Sequence, residues 1–384
     1  MHVTIIGAGV IGLSIAWELS RRGAVVRVIE RGEIGRESSW AAAGILPAAR
    51  FDTATDPMEK FRGYSHSLYP TWAAELSRLT QIDAGLRRCG GIYLATSIGE
   101  AASLMANLEY SKDLQIEFDL LTPDELIALE PSLSAWARSL QFRAAAMSSD
   151  EYQIRPPDFL AALKAACCIN GVRIEEHCEA HLEIEDGRAA VRFDQGRVAE
   201  KIQSDFIIVC GGAWTGTIAR RLGLANSVVP VRGQMMMYHL SSPPLRHIVN
   251  EGHRYLVPRE DGRVLVGSCE EETGYIKATT QEMLEPLRLW AESILPMLVG
   301  MRREKEWSAL RPGTFDGFPL IGKVPNLSNL AIASGHYRSG IHLAPATAVA
   351  IADQLYGVAS KVDLSAFSIG RMMAECRTTQ FEEH

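Results

Sequence analysis

The sequence predicts an α/β chain, α+β overall, in which a parallel-sheet dinucleotide-binding domain of the GxGxxG type is interleaved with an antiparallel-sheet domain. Three observations carry that prediction. The first thirty residues read as strand, glycine loop, helix, strand and acid. Much later an apolar run over 205–210 meets the double glycine Gly211-Gly212, as a buried parallel strand feeding a tight turn would. After it, 228–240 and 254–267 alternate apolar and polar residues around Pro- and Gly-containing turns, the habit of antiparallel strands.

Val3-Thr4-Ile5-Ile6 is a short buried strand running into Gly7-Ala8-Gly9-Val10-Ile11-Gly12 and then an apolar-faced helix over 13–21. Gly23 ends that helix, and a second strand over 24–29 finishes on Glu30. Each part has a mechanical reason. Gly7 allows the tight turn, Gly9 lets backbone approach a pyrophosphate, and Gly12 lets helix and strand pack closely. The helix N-terminus aims free N–H groups and positive dipole at the phosphates. Glu30 can accept from both ribose hydroxyls, and an acid there argues against a 2′-phosphate. NAD and FAD both fit these residues.

From Arg31 to Trp40 the chain reads as a loop, followed by Ala41-Ala42-Ala43-Gly44, whose small side chains suit close packing against something flat. Helices are expected over 57–79, 99–108, 157–169, 280–298 and 344–355, with another opening at Thr122-Pro123 on an N-cap and first-turn proline. Further strands are expected over 90–95, 140–143, 172–174, 189–193, 201–210 and 330–334. The run Met235-Met236-Met237 reads as adaptable core packing. His253, two before Tyr255, is expected on the same strand face, at the rim of a site. The nucleotide domain is thus expected over 1–84, 145–226 and 306–384, and the antiparallel domain over 85–144 and 227–305.

Composition narrows the function. A formal net charge of −7 with no Lys/Arg run offers no basic field for nucleic acid. The seven cysteines show no metal-like spacing, and an odd count with the adjacent pair Cys167-Cys168 reads as reduced thiols of a cytoplasmic protein with no metal. No run of about twenty apolar residues suggests a membrane span.

Later motifs are Gly211-Gly212-Ala213-Trp214, Pro230-Val231-Arg232-Gly233-Gln234, Tyr255-Leu256-Val257-Pro258-Arg259 and Leu310-Arg311-Pro312-Gly313-Thr314 with Asp316-Gly317. Last come Gly335-His336-Tyr337-Arg338-Ser339-Gly340-Ile341 and Leu343-Ala344-Pro345-Ala346-Thr347. In this order, through nearly the whole chain, they resemble the FAD-dependent D-amino-acid oxidase superfamily, and within it the bacterial glycine oxidases of the thiamine pathway. The resemblance implies FAD. No Cys lies between Trp307 and Gly313, where sarcosine oxidases of this superfamily link their flavin, so it implies non-covalent binding. Beside Gly7, Gly9, Gly12 and Gly212, it places FAD contacts on Val10, Ile11, Glu30, Arg31, Ser38, Ser39, Ala43, Gly44, Ile45 and Ala180, and on the loop His336, Tyr337, Arg338, Ser339, Gly340, Ile341 and His342. The turn before the last helix also aims N–H groups and dipole at negative charge developing on a flavin.

By the same resemblance Arg311 and Tyr255 would hold a substrate carboxylate, Arg338 would face substrate or cofactor, and no side chain would act as acid or base. Glu270 stands where glycine oxidases carry an apolar Met. The implied reaction oxidises glycine or another small primary or secondary amine bearing a carboxylate. Hydride would pass from Cα to flavin N5, and the imine would hydrolyse to a 2-oxo acid and ammonia. Oxygen would take the electrons to give hydrogen peroxide, and the product would feed thiazole and thiamine synthesis. The alternatives are a D-amino-acid or 2-hydroxy-acid dehydrogenase with another acceptor, a sarcosine oxidase-like enzyme, and a non-catalytic FAD-binding subunit. A homotetramer is expected from the resemblance alone.

Overall fold

The computed structural model describes residues 1–195 and 198–371, so Cys376 and the expected end of the nucleotide domain, 372–384, lie outside the described residues. Two sheets organise the chain. The first has six strands in the order Leu320–Lys323, Leu330–Ser334, Phe206–Val209, His2–Ile6, Val25–Ile29 and Arg173–Glu175. Five of them run parallel, and Leu320–Lys323 closes one edge antiparallel. Their sequences are nearly continuous apolar runs because helices cover the sheet, as βαβ crossovers require.

The glycine-loop helix Val10–Arg21 packs between Gly340–Tyr356 and Pro156–Ile169. Trp17 on that helix meets Trp72 edge-on at 4.7 Å, and both rings are buried. Burying one such side chain contributes roughly 1.5–3 kcal/mol. The long helix Pro57–Thr80 starts where Asp56 caps two free amides, those of Met58 and Glu59, with Pro57 at the first turn.

The second sheet has eight strands in the order Lys305–Gly313, Val229–His239, Arg263–Gly267, Arg254–Pro258, Ile248–Glu251, Gly91–Ala95, Ala144–Ser148 and Asp119–Leu120. All its pairings are antiparallel except Ile248–Glu251 with Gly91–Ala95. The expected helix over 280–298 runs Gln281–Ile294 and then tightens into a 3₁₀ turn at Pro296–Leu298, because Pro296 cannot continue it.

Two expectations are corrected. Residues 140–143 form a turn, and the strand begins just after them, at Ala144–Ser148. The single strand over 201–210 is two: Val198–Ile202 belongs to a three-stranded antiparallel sheet with Glu179–Glu185 and Arg188–Gln195, and Phe206–Val209 belongs to the parallel sheet. Ser204 and Asp205 break the run, and Asp205 turns back to the amide of His2. Ala144–Ser148 and Lys305–Gly313 both pair within the eight-stranded sheet.

Candidate active site

Four adjacent parallel strands end together. Gly7 follows His2–Ile6, Glu30 follows Val25–Ile29, Gly211-Gly212 follows Phe206–Val209, and Gly335-His336 follows Leu330–Ser334. In open α/β sheets the crevice at such carboxyl ends is where ligands bind. A cavity of about 180 Å³ lies there, lined by Gly7, Gly9, Val10, Ile11, Glu30, Arg31, Ser38, Ser39, Ala180, Gly212, His336, Tyr337, Arg338, Gly340 and Ile341. A second cavity, about 360 Å³, holds Ala43, Gly44, Ile45, Tyr255, Arg311, Ser339 and His342. The two share Ser38, Ala42, Tyr337, Arg338 and Ile341 as a common wall. Of the sequence-derived site residues only Gly12 lines neither.

The glycines divide by role. A Cβ on Gly7 (φ +106°) would fall 2.4 Å from the Cys210 carbonyl oxygen, and one on Gly12 would fall 2.0 Å from that of Gly7. Those two let loop, strand and helix close up. Gly9 is the N-cap that faces the cavity, and the next amide, Val10 N–H, donates to Ser39 Oγ at 2.9 Å. Glu30 is pinned at the mouth of this loop: its carboxylate accepts from Ala8 N–H at 2.8 Å and Gly32 N–H at 2.9 Å. A carboxylate has about four acceptor positions, so two remain for a ligand. Open space beside Gly212, two helix N-termini on one crevice, and an acid at ribose distance in the motif fit a flavin dinucleotide.

Tyr337 sits at φ +48°, in the left-handed region, where the chain turns through 3₁₀ geometry into Gly340–Tyr356. His336 Nε2 lies 3.1 Å from Thr347 Oγ1, and burial pulls its pKa down to about 3. Burial also lowers His342 well below the ordinary histidine value, and its Nε2 has no partner among the described residues. Both rings are therefore neutral.

The wall of the larger cavity follows from strand register. Tyr93, Asn250, Tyr255 and Gly267 stand opposite one another across four strands, and Met235 faces Trp307 across the last pair. Side chains alternate along a strand, so Trp307, Ala309 and Arg311 share a face, as do Gly233 and Met235. Three glycines clear room on that face. A Cβ on Gly233 would lie 2.2 Å from the Arg311 guanidinium, one on Gly267 would lie 2.3 Å from the Tyr255 ring, and one on Gly91 would lie 2.4 Å from the Glu151 carboxyl.

Arg311 donates to Ser268 Oγ at 2.7 Å and to the Cys269 carbonyl at 3.1 Å, both neutral acceptors. The other guanidiniums lining this cavity are each paired: Arg62 with Glu59, Arg254 with Glu251, and Arg338 with Glu270. Among the described residues of the cavity wall Arg311 is thus the guanidinium without a carboxylate. Among the described residues the Tyr255 hydroxyl reaches only Met235 Sδ, at 3.6 Å, a weak acceptor that a ligand oxygen would readily replace. Arg259, close behind, anchors the small-residue stretch by donating to the Ala43 carbonyl at 2.6 Å. Burial brings its pKa down to about 10.

One sequence reading is extended here and one corrected. Met235 packs in a buried cluster with Ala43, Ile248 and Tyr255, as expected, and also lines the cavity, because Gly233 and Met235 share the open face of the strand. His253 lies exposed in the turn before Arg254–Pro258, not on the strand, and only its carbonyl touches the site, through Arg338 Nη2 at 3.2 Å. Sequence reasoning also missed Glu151. This carboxyl is fully buried, accepts from Tyr93 Oη and from Asn250 Nδ2 (3.3 Å), and both partners line the cavity. Burial raises its pKa to about 7. The one local signal was Gly90-Gly91, the space it fills.

Comparison with known proteins agrees with this geometry. The model of the family described as DAO, FAD dependent oxidoreductase, matches residues 2–354. A glycine oxidase of Pseudomonas aeruginosa is 33% identical over 93% of this chain and 95% of its own length. A bifunctional protein ThiO/ThiG of Trichormus variabilis is 29% identical over all of this chain and 57% of its own. The crystal structure of glycine oxidase from Geobacillus kaustophilus superposes with a TM-score of 0.89, at 31% identity, over 96% of this chain and 98% of that one. With a glycine loop, a pinned acid and a second helix N-terminus on one crevice, and a family match across nearly its whole length, the chain belongs to the DAO family of FAD-dependent oxidoreductases.

Proposed function

We propose that this protein is an FAD-dependent oxidase of glycine or another small primary or secondary amino acid, with oxygen as electron acceptor. The observation that carries the reading is Arg311, a guanidinium lining a cavity beside the flavin crevice with only neutral partners. An Arg fork binds a carboxylate bidentately and so fixes its orientation as well as holding it. Relatives named glycine oxidase align over nearly the full chain, which supports glycine as substrate. The ThiO/ThiG relative supports a place in thiazole and thiamine synthesis.

In this reading the six-stranded sheet holds FAD and the eight-stranded sheet holds substrate. Glu30 would hold the ribose, while the glycine loop and the turn at His336–Gly340 would hold its phosphates and ring. The absence of a Cys between Trp307 and Gly313 supports FAD without a covalent link. The chemistry a flavin held there would supply is acceptance of a hydride equivalent from the substrate's Cα, with oxygen as the final acceptor and hydrogen peroxide as its product. Arg311 and Tyr255 hold the carboxylate, which leaves the Cα–H bond as the part free to face the shared wall. Trp307, Ala309 and Met235 exclude water around it. His336 and His342 are neutral and hold no proton for the reaction; catalysis is positioning plus the cofactor's own chemistry. No described helix is long and apolar enough to cross a membrane. We place the protein in the cytoplasm, on its free thiols, and as a homo-oligomer, on family resemblance.

The test is glycine added in air to FAD-loaded protein. Peroxide and ammonia in equal amounts are expected. Flavin bleached by glycine under nitrogen with no peroxide in air would move the reading to a dehydrogenase, and no bleaching would remove glycine as substrate.

A further inference from the structure

We infer that Glu270 is a specificity residue: by holding Arg338 it restricts the site to amines bearing one carboxylate and turns dicarboxylic amines away. The inference rests on the proposed reading of Arg311 as the carboxylate clamp.

Arg338 lies in the wall common to both cavities, so it faces the same space as Arg311. Glu270 occupies its Nη1 at 2.9 Å and the His253 carbonyl occupies its Nη2 at 3.2 Å. The fork that could grip a second carboxylate is therefore already engaged on both arms. Charge decides the same way. Two guanidiniums and one carboxylate leave a single net positive charge at this end of the cavity, which matches one carboxylate on the ligand. Without Glu270 the balance would be two. Glu270 itself lines neither cavity, so it acts through Arg338, whose charge it neutralises against a second ligand carboxylate.

Size does not make this selection. A cavity of about 360 Å³ falls in the range that takes ligands far larger than glycine. Nor is the pair there to hold the fold together. Both side chains are more than a third exposed, 36% and 37%, and such pairs contribute little to stability. Tyr337, beside them, feels Glu270 too: burial and then that carboxylate raise its pKa.

The test compares the parent with Glu270→Gln and with Glu270→Gln/Arg338→Met, all FAD-loaded. Two readouts are used: kcat/KM for iminodiacetate relative to glycine, and calorimetric Kd for the unreactive dicarboxylate oxydiacetate relative to glycolate. Glu270→Gln should shift both ratios toward the dicarboxylate by at least about tenfold, the effect of freeing an Arg fork and its charge. The double variant should lose that gain. Ratios unchanged by Glu270→Gln, or a gain that persists without Arg338, overturn the inference. Failure of the clamp itself would show separately, as glycolate binding that Arg311→Ala leaves intact.

Discussion

The guanidinium of Arg311 lies against the backbone of Gly233 on the neighbouring strand, so closely that a methyl group on Gly233 would fall 2.2 Å from Arg311 Nη1. Val231 is the residue paired with Arg311 across the two strands, so the side chain leans along the sheet to reach Gly233. Gly233 is not needed there for its backbone conformation, since its φ lies outside the left-handed region. It is needed for space. The position of the clamp thus depends on a residue with no side chain of its own to bind substrate.

Gly233→Ala should accordingly act through Arg311. Overpacking of this kind costs about 1–3 kcal/mol, or roughly 5- to 150-fold in kcat/KM if it falls on the clamp. The check is a double-mutant cycle with Arg311→Ala. The two losses should fail to add, with the double variant no worse than Arg311→Ala alone. Additive losses would place the damage elsewhere in the sheet.

Glu30→Ala should weaken FAD binding. Removing hydrogen bonds from a carboxylate to ribose costs about 1.5–3 kcal/mol, or roughly 10- to 150-fold in Kd, measured by equilibrium dialysis of the apoprotein against FAD. The same change frees the amides of Ala8 and Gly32, so loosening of the glycine loop adds to the loss. Parental FAD affinity would show that Glu30 serves only those amides.

Glu151 predicts a pH dependence. Burial raises its folded pKa from the ordinary 4.5 to about 7. The folded state therefore keeps a proton that the unfolded chain loses, and stability falls as pH rises from about 4.5 to about 7, then levels. Gln at this position cannot ionise. The Tm of Glu151→Gln should rise relative to the parent between pH 5 and pH 8, by the equivalent of up to about 3 kcal/mol. A Tm difference that stays constant over that range would show that Glu151 titrates normally.

What the sequence made legible, and what it hid, follows the range of the interactions. The unit from Val3 to Glu30 could be read outright, because strand, glycine loop, helix and acid are neighbours in the chain. Arg311 and Tyr255 could be named only through resemblance: on their own they read as an arginine and an aromatic in a sheet. Met235 could be read as core but not as cavity wall, because only the pairing of 229–239 with 305–313 decides which of three methionines faces the cavity. Glu151 was invisible because an acid after Ser149-Asp150 reads as solvated loop, whereas Tyr93 and Asn250, dozens of residues away on either side, enclose it. Glu270 was noticed as a departure from the family, but its partner Arg338 could not be known without the fold.

The central claim is that Arg311 orients a carboxylate-bearing amine while fold and cofactor survive without it. Steady-state oxidation of glycine by Arg311→Ala tests it most directly, beside flavin content and the milder Tyr255→Phe, which should lose only about tenfold. Arg311→Ala should lower kcat/KM by at least about a hundredfold, near 2.7 kcal/mol, with flavin content unchanged. Near-parental kcat/KM for glycine in Arg311→Ala would contradict the clamp, and the proposed substrate class with it.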